Sequence, residues 1–364
     1  MKYTEAEMCL IWLDSFIGLE YRHKEQIYKL VSDQPEIRRT LERAREYFVT
    51  EIGEKEFNVV LNSANGNYFS SVMEGLDKRG IRAVTIVSDD YPENLKNIPI
   101  PPLVLYCKGD VSLLNGENFG IVGSRKSLPV SRAVAANYAE SLTNAGFTIV
   151  SGIAEGIDST ALSKTISSNG KAITIVAGGF DHVYPKSNQA LFDTISEKGL
   201  CISEQPSETV PQPFMFPVRN RLIAALSQGV LVVSGGLKSG TMYTAKYAEE
   251  YSKEVFAVPY TPGIESGAGC NELIKSGAHL TDSPDDILDF YGKRAEKKAP
   301  DLSEDEKAVI EVLKNGATHA DAICKSLDKK IYEIMPILSA LMIKGLAAKA
   351  GTNAYCLTRN QAEE

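Results

Sequence analysis

The sequence has few of the residues and patterns that mark disulfide-bonded, zinc-binding, secreted or membrane proteins. Its six cysteines form no CxxC pair and only four histidines accompany them, so neither disulfides nor a structural zinc site is expected. The cysteines are Cys9, Cys107, Cys201, Cys270, Cys324 and Cys356. No hydrophobic run approaches a membrane span, and residues 1–7 carry acids where a signal peptide needs a basic region followed by an apolar one. We therefore expect a cytoplasmic protein with no membrane contact and no bound metal.

A strongly basic composition is also missing, because the 364 residues carry a net charge of −8. Bulk attraction to nucleic acid is not expected of such a chain. Three stretches nevertheless contain no acid, namely 118–139, 159–180 and 209–248. Their basic residues are Arg125, Lys126, Arg132, Lys164, Lys171, Arg219, Arg221, Lys238 and Lys246. Since all three stretches adjoin glycine-rich turns, they predict one local anion-binding face.

The hydrophobic pattern predicts three domains, and 43% hydrophobic residues suffice for sizeable cores. Residues 1–75 have apolar residues at helical spacing and predict a small helical domain, of the SAM or helix-hairpin-helix kind. Residues 76–292 comprise an N-terminal extension and a region that alternates β-rich runs with helical stretches. A charged linker over 293–301 ends in proline. Residues 302–358 then suggest three short helices and two closing strands, an order that fits a winged helix.

The central alternation predicts an α/β fold, a Rossmann-like doubly wound parallel sheet. Its β-rich runs are 119–122, 147–150, 172–177, 200–203, 230–233 and 255–258. A helix over 131–144 is expected to end at Gly146, because glycine readily adopts the left-handed conformation at that position. Ligands of such folds bind at the carboxyl ends of the strands, so the functional residues are sought there.

Turns rich in glycine and serine follow the main strands. They contain Gly123-Ser124-Arg125, then Ser151, Gly152 and Gly156, then Gly178-Gly179, and finally Lys238, Ser239, Gly240 and Thr241. Glycine lets the backbone approach a phosphate closely, and the following helix presents free N–H groups. Each glycine could instead serve only a tight turn or helix packing. Four such loops on one sheet edge favour phosphate binding.

The sequence motifs that bind two common phosphate-bearing ligands, dinucleotides and ATP, are incomplete here. The first strand is not followed by G-x-G-x-x-G, as a dinucleotide would require. Gly235 and Gly240 match the glycines of a P-loop, but Thr241 stands where its lysine should be. Neither NAD nor ordinary ATP hydrolysis is therefore favoured, and no cofactor is expected.

The segment 214–221 is more informative, because it places aromatic residues beside two arginines and an asparagine. Aromatic faces stack bases, arginine pairs with phosphate, and asparagine can hydrogen-bond to either. Phe216, Arg219, Asn220 and Arg221 thus indicate a single-stranded nucleic acid. The alternative is that Phe216 belongs to the core and the two arginines form salt bridges on a helix surface.

At these loops the chain resembles the DprA (Smf) family of bacterial DNA-processing proteins. Six motifs match in order, and the resemblance extends over essentially the whole chain. They are Gly123-Ser124-Arg125, 151–158, 179–188, 216–224, Ser239-Gly240-Thr241 and 271–278. The family has Rossmann-like proteins that carry single-stranded DNA and load the RecA recombinase during natural transformation. No enzymatic activity is implied.

The resemblance also implies where DNA lies and how the protein assembles. The pocket would be lined by Arg125, Phe216, Arg219, Asn220 and Arg221, and two chains would pair through the Rossmann-like domain. Three positions depart from the family, since Leu162, Ser234 and Tyr260 replace its usual histidine, glutamate and Val-Pro-Gly segment. No basic residue precedes Phe216 within 211–215, which predicts reduced affinity. The N-terminal domain is assigned no DNA contact.

Two other functions fit the sequence less well. A nucleotide phosphoribohydrolase of the lysine-decarboxylase-like family shares the Rossmann core, and Gly235-Gly236 with Gly240-Thr241 resembles its motif. Thr244, however, stands where its glutamate is required, and Asp158 is better explained as a helix N-cap than as a catalytic acid. A regulator would read duplex DNA through the helix 331–343, which contains no basic residue. A partner-binding or dimerising role suits that helix better.

Overall fold

The computed structural model describes residues 3–32, 34, 36–293, 302–314, 316, 318–344 and 346–358. Contacts divide the chain into two compact units, Met1–Arg294 and Ala295–Glu364. The predicted linker 293–301 lies outside the described residues except for Lys293. In the part of the chain that the structure describes, no helix combines the length and the apolar character that a bilayer crossing demands.

The first unit begins with six helices. They are α1 (Glu5–Asp14), α2 (Tyr21–Val31), α3 (Ile37–Arg43), α4 (Arg45–Ile52), α5 (Glu54–Ser63) and α6 (Gly66–Arg79). Thr4 and Glu7 form a capping box at the start of α1. Trp12, Phe48 and Phe57 are buried together in the core of this bundle. The domain boundary predicted at residue 75 falls inside α6, which continues until Gly80 adopts a left-handed conformation.

A nine-stranded sheet follows. Its strands are β1 (Arg82–Thr85), β2 (Val104–Gly109), β3 (Asn118–Gly123), β4 (Thr148–Ser151), β5 (Ala172–Ile175), β6 (Leu200–Ser203), β7 (Gly229–Ser234), β8 (Glu254–Ala257) and β9 (His279–Leu280). Their order across the sheet is β1-β2-β6-β5-β4-β3-β7-β8-β9. The strands from β3 to β9 pair in parallel, whereas β1 and β2 add an antiparallel edge. The predicted α/β fold with a mostly parallel sheet is confirmed, and the six predicted runs coincide with β3 to β8.

Helices cover both faces of this sheet. They are α7 (Glu93–Lys96), α8 (Pro129–Asn144), α9 (Ile157–Ser167), α10 (Gln189–Lys198), α11 (Met215–Leu226), α12 (Thr241–Glu250), α13 (Ala268–Lys275) and α14 (Pro284–Phe290). Along β3, Phe119 and Ile121 belong to one core and Val122 to the other. Strands buried on both faces read as continuous apolar runs, which is why the sequence revealed them. Gly146 follows α8 with a φ of +91°, as predicted.

The N-terminal helices pack against the antiparallel edge of the sheet. Leu10 and Ile11 of α1 share a core with Val104 and Tyr106 of β2. The Tyr106 hydroxyl donates to Oδ2 of Asp14 at 2.9 Å. Contacts therefore unite this bundle with the sheet in one compact unit.

The outer edge of β1 is closed by side chains. Its Ala83 N–H donates to the Tyr3 hydroxyl at 3.0 Å, and its Thr85 N–H donates to Oγ of Ser88 at 3.0 Å. Residues two apart on a strand point the same way, so both donors belong to one edge. These two outward donors are therefore not available to pair with another strand.

The strand order reverses between β3 and β7, since β4 lies on one side of β3 and β7 on the other. Loops that leave neighbouring strands at such a point diverge and leave a crevice at the carboxyl edge. The loops after β3, β4 and β7 border this crevice.

The second unit is a small three-helix domain with its own core. Its elements are α15 (Glu304–Leu313), β10 (Thr318–His319), α16 (Ala320–Leu327), α17 (Ile331–Ile343), β11 (Ala347–Gly351) and β12 (Ala354–Leu357). The strands form a sheet in the order β10-β12-β11. Val309, Ile323 and Leu338 meet in the core. The three helices and the closing pair of strands thus occupy the predicted part of the chain.

Candidate functional site

A groove of about 1140 Å³ opens at the crevice between the loops after β3 and β7. Most of the residues predicted from the sequence line it. They are Gly123, Ser124, Arg125, Phe216, Arg219, Asn220, Lys238, Ser239, Gly240 and Thr241. The reversal of strand order explains this convergence, because it brings loops distant in sequence to one place.

An arginine and two aromatic rings meet at the groove. The Arg125 guanidinium carbon lies 5.0 Å from the centroid of the Phe216 ring, within cation–π range. The Tyr184 ring meets Phe216 edge-on at 5.7 Å. Arg125 and Tyr184 are exposed and Phe216 is half-buried, so Phe216 is not a core residue. Tyr184 was not among the predicted site residues, although it belongs to the matched motif 179–188.

Arg219 lies at the floor of the groove with only 6% of its surface exposed. Its Nη1 donates to the carbonyl oxygen of Gly152 at 2.9 Å and also to that of Ile175. Burial lowers the pKa of the guanidinium to about 10, while Asp158 acts in the opposite direction. The side chain predicted to pair with phosphate therefore binds the protein's own backbone and holds loops together.

Three predicted residues lie elsewhere. Arg221 is buried and forms an ion pair with Glu204, so this salt bridge lies in the interior rather than on the helix surface that the alternative supposed. Ser151 is fully buried and donates to the carbonyl oxygen of Ile121 at 2.6 Å. Gly156 has a φ of +86°, and a Cβ there would lie 2.4 Å from the Ser124 carbonyl oxygen. These residues shape the loops, and the structure does not bring them to the surface of the groove.

Gly152 lies beside the groove rather than in its lining. It lines a small cavity beside the groove together with Arg125, Tyr184 and Phe216. A Cβ at this position would lie 2.4 Å from Nη2 of Arg219 and 2.8 Å from Oδ2 of Asp158. Only glycine therefore fits between these two buried charged groups.

Asp158 does not cap helix α9, which corrects the prediction made for it. The helix begins at Ile157 after Gly156, so Asp158 lies within the first turn and is only 6% exposed. Oδ1 of Asp158 accepts the Gly123 N–H at 3.3 Å, and the backbone of Gly152 and Ala154 also binds this carboxylate. Burial raises its pKa to about 6, and Arg219 and the backbone donors oppose that rise.

The loop between β7 and α12 forms the opposite wall. Nδ2 of Asn220 donates to the Gly240 carbonyl oxygen at 3.2 Å and so ties α11 to this loop. Thr244, where a phosphoribohydrolase would need its glutamate, is buried.

The exposed charge of the groove is mainly positive. Its exposed basic side chains are Arg125, Lys126 and Lys238. Among the described residues that line it, the acidic ones are the exposed Glu265 and the buried Asp158.

An open, mostly parallel α/β sheet with a cationic, partly aromatic groove at its reversal point defines a binding protein for a phosphate-bearing ligand. The chain belongs to the family of DNA recombination-mediator protein A, whose family model matches residues 82–292. The membership predicted from the six motifs, in the DprA (Smf) family, is thereby confirmed.

Relatives from three bacteria are similar to this chain. The DNA processing protein DprA of Bacillus subtilis is 41% identical, over 61% of this chain and 75% of the relative. The X-ray structure of DprA from Streptococcus pneumoniae superposes with a TM-score of 0.60 at 28% identity, covering 79% of this chain and 98% of that one. DNA processing protein A of Helicobacter pylori, a structure described for its single-stranded DNA binding mode, gives 0.53 at 30% identity, over 58% and 96%.

Proposed function

We propose that this chain binds single-stranded DNA in the groove at the carboxyl edge of its sheet. The observation that carries the proposal is the contact of Arg125 with Phe216 in a groove whose exposed charge is mainly positive. A base can stack on the ring while nearby cations meet the phosphates. The single-stranded DNA binding mode described for the Helicobacter pylori relative supports this proposal.

The same contact favours single strands over duplexes. Phe216 is half-buried between Arg125 and Tyr184, so only an unstacked base can reach its ring. Phosphates would then be met by Arg125, Lys126 and Lys238, whose side chains are exposed. The buried Arg219 supports these loops from below.

Fluorescence anisotropy with a labelled oligonucleotide and its duplex, over a range of salt concentrations, tests the proposal. The single strand should bind more tightly, and log affinity should fall linearly with log salt by about 0.7 per phosphate contact. Phe216→Ala should weaken binding by about 1–3 kcal/mol if the ring stacks a base. The matched control is Phe214→Ala, since Phe214 is 67% exposed and does not line the groove. Equal affinity for the duplex, or equal loss in the two variants, contradicts the proposal.

We further propose that the protein is not an enzyme. The groove holds Thr244 in place of the glutamate that a phosphoribohydrolase requires, and Asp158 is enclosed by the protein. Incubation with nucleoside monophosphates should release no ribose 5-phosphate. Release of ribose 5-phosphate by the wild type would establish the enzymatic alternative instead.

A role in natural transformation follows as a proposal from family membership. The protein would protect incoming single-stranded DNA in the cytoplasm and load RecA onto it. The measurement is RecA ATPase activity on DNA already coated by a single-strand-binding protein. Addition of this protein should shorten the lag, and Phe216→Ala should restore it. An unchanged lag with the wild type would refute the loading role.

We also propose a homodimer formed through the Rossmann-like domain. Strand β9 ends the sheet, and near it Leu280 and Phe290 are 53% and 48% exposed. Apolar side chains at an open strand edge favour association with another chain. Light scattering should give twice the monomer mass for the wild type and the monomer mass for Leu280→Glu. A monomeric wild type would refute this assembly.

For the second unit we propose a winged helix that contacts protein rather than DNA. Helix α17 exposes Ile331, Tyr332, Met335 and Met342 and contains no basic residue. Such a helix suits an apolar partner surface, as inferred from the sequence. Deleting residues 302–364 should leave affinity for DNA unchanged, and a large loss of affinity would contradict the assignment.

A further inference from the structure

The loops after β3 and β4 form an anion-binding concavity that is already occupied. Ile153 has a φ of +58° although it is β-branched and fully buried. A left-handed residue in such a turn makes neighbouring N–H groups converge, which is the geometry of backbone anion nests. The Gly152 and Ala154 backbone donors flank Ile153, and both bind the carboxylate of Asp158.

A third donor comes from the adjacent strand. The N–H of Gly123, at the end of β3, donates to Oδ1 of Asp158 at 3.3 Å. The Arg219 guanidinium lies beside the same carboxylate, as the fit of Gly152 between them shows. Three backbone donors and one buried cation thus surround an anion that belongs to the protein.

The strained turn is held from outside. Nδ2 of Asn188 donates to the Ile153 carbonyl oxygen at 2.7 Å. A left-handed β-branched residue is uncommon and costs free energy, so it persists only where its surroundings fix it. Asn188 and Asp158 fix it from its two sides.

We propose that Asp158 is a built-in anion that fills the phosphate nest of this fold. A nucleotide's terminal phosphate finds the three backbone donors occupied, so Asp158 acts as a specificity-determining residue against mononucleotides. The consequence for DNA rests on the proposed function. The phosphodiesters of a strand would be met by the exposed side chains of Arg125, Lys126 and Lys238 rather than by the backbone nest.

Chemical rescue tests this inference without DNA. Asp158→Ala removes the anion, so Arg219 loses its nearby negative charge and three N–H groups lose their acceptor, which should lower Tm by roughly 5 °C or more. Sodium formate should restore much of that loss in a saturable manner, compared with sodium chloride at equal ionic strength. The matched control is Leu162→Ala, a buried apolar residue of the same helix, which formate should not rescue.

Asp158→Asn is the second variant and covers the case in which the alanine variant does not fold. It retains an acceptor oxygen in the nest, so it should lose less stability and gain nothing from formate. Equal effects of formate on Asp158→Ala and Leu162→Ala, or rescue of the asparagine variant, would overturn the proposal.

The selectivity is tested by equilibrium binding of inorganic phosphate. Asp158→Gly, which leaves the most room, should bind phosphate more tightly than the wild type, in which only the exposed cations of the groove can bind it. Equal phosphate affinity of the two proteins would refute the built-in anion. Because none of these measurements uses DNA, their failure and the failure of DNA binding are distinguishable.

Discussion

Arg125 and Arg219 both line the groove, yet their surroundings predict opposite phenotypes. Arg219 is 6% exposed and its Nη1 is bound by two backbone carbonyl groups. Removing one partner of a buried charged pair costs about 3–5 kcal/mol, so Arg219→Ala should lose this much stability. For a unit of this size that is a fall in Tm of roughly 5–10 °C. At a temperature where the variant is still folded, its salt dependence of DNA binding should stay that of the wild type.

Arg125→Ala should show the reverse. The side chain is exposed and its contact is the Phe216 ring. The free energy of unfolding should therefore fall by less than about 1 kcal/mol, and Tm should change little. If the guanidinium meets one phosphate, the slope of log affinity against log salt should flatten by about 0.7. Arg219→Lys serves as the matched control for Arg219→Ala. It keeps the positive charge, but an ammonium group lacks the planar guanidinium geometry that binds both carbonyl groups.

The assay pairs thermal unfolding with anisotropy titrations on the same preparations. Expected are a low Tm with an unchanged slope for Arg219→Ala, a normal Tm with a flatter slope for Arg125→Ala, and an intermediate Tm for Arg219→Lys. A flattened slope at normal Tm in Arg219→Ala would place that guanidinium on the DNA and refute the assignment.

Three further predictions concern stability and reactivity. Burial raises the pKa of Asp158 from 3.8 to about 6, so folding is favoured when this carboxyl group is protonated. That gain in stability is fully present below about pH 3.8 and is lost as pH rises through about 6. Measured against Asp158→Asn by urea unfolding, wild-type stability should therefore rise by about 2 kcal/mol from pH 7.5 to 4.5, and a constant difference would refute the shift. Gly156→Ala should lose at least about 2 kcal/mol in the same assay, while Gly240→Ala, whose Cβ meets open space, should be nearly neutral; equal losses would contradict the backbone argument. A thiol reagent should modify Cys324 and Cys356 quickly in the native protein, and rapid reaction elsewhere would show that burial does not protect the other thiols. The thiols whose pKa is raised by burial should react only on unfolding, and they are Cys9, Cys107, Cys201 and Cys270.

Much of the fold could be predicted because its strands are buried on both faces. Such strands read as apolar runs bounded by glycine, and the rule that ligands bind at their carboxyl ends then located the groove. The antiparallel pairing of β1 with β2 was not predictable, because the two short apolar runs over 83–87 and 103–106 do not fix the direction in which they pair. Nor was the packing of α1 on β2, which depends on contacts such as that of Tyr106 with Asp14.

The direction in which each side chain points was harder to predict than its loop. Phe216, Arg219 and Arg221 lie on one helix, but residues two apart face different sides, so they cannot all reach one ligand. Nothing in the local sequence tells that both arginines turn inward, because that is decided by Glu204 and by the carbonyl groups of Gly152 and Ile175. The role of Asp158 was mispredicted for a related reason, since the backbone donors that bind it belong to three other residues, Gly123, Gly152 and Ala154.

The two ends of the sheet differ in a way that limits how large an assembly can grow. At β1 the outward donors of Ala83 and Thr85 are satisfied by Tyr3 and Ser88, whereas the outer side of β9, away from β8, is paired with no strand among the described residues. A sheet that can be extended from one side only pairs once, by a two-fold axis, and then has no free side left. For the homodimer proposed above, this predicts that association through the sheet stops at two copies and does not propagate into a filament.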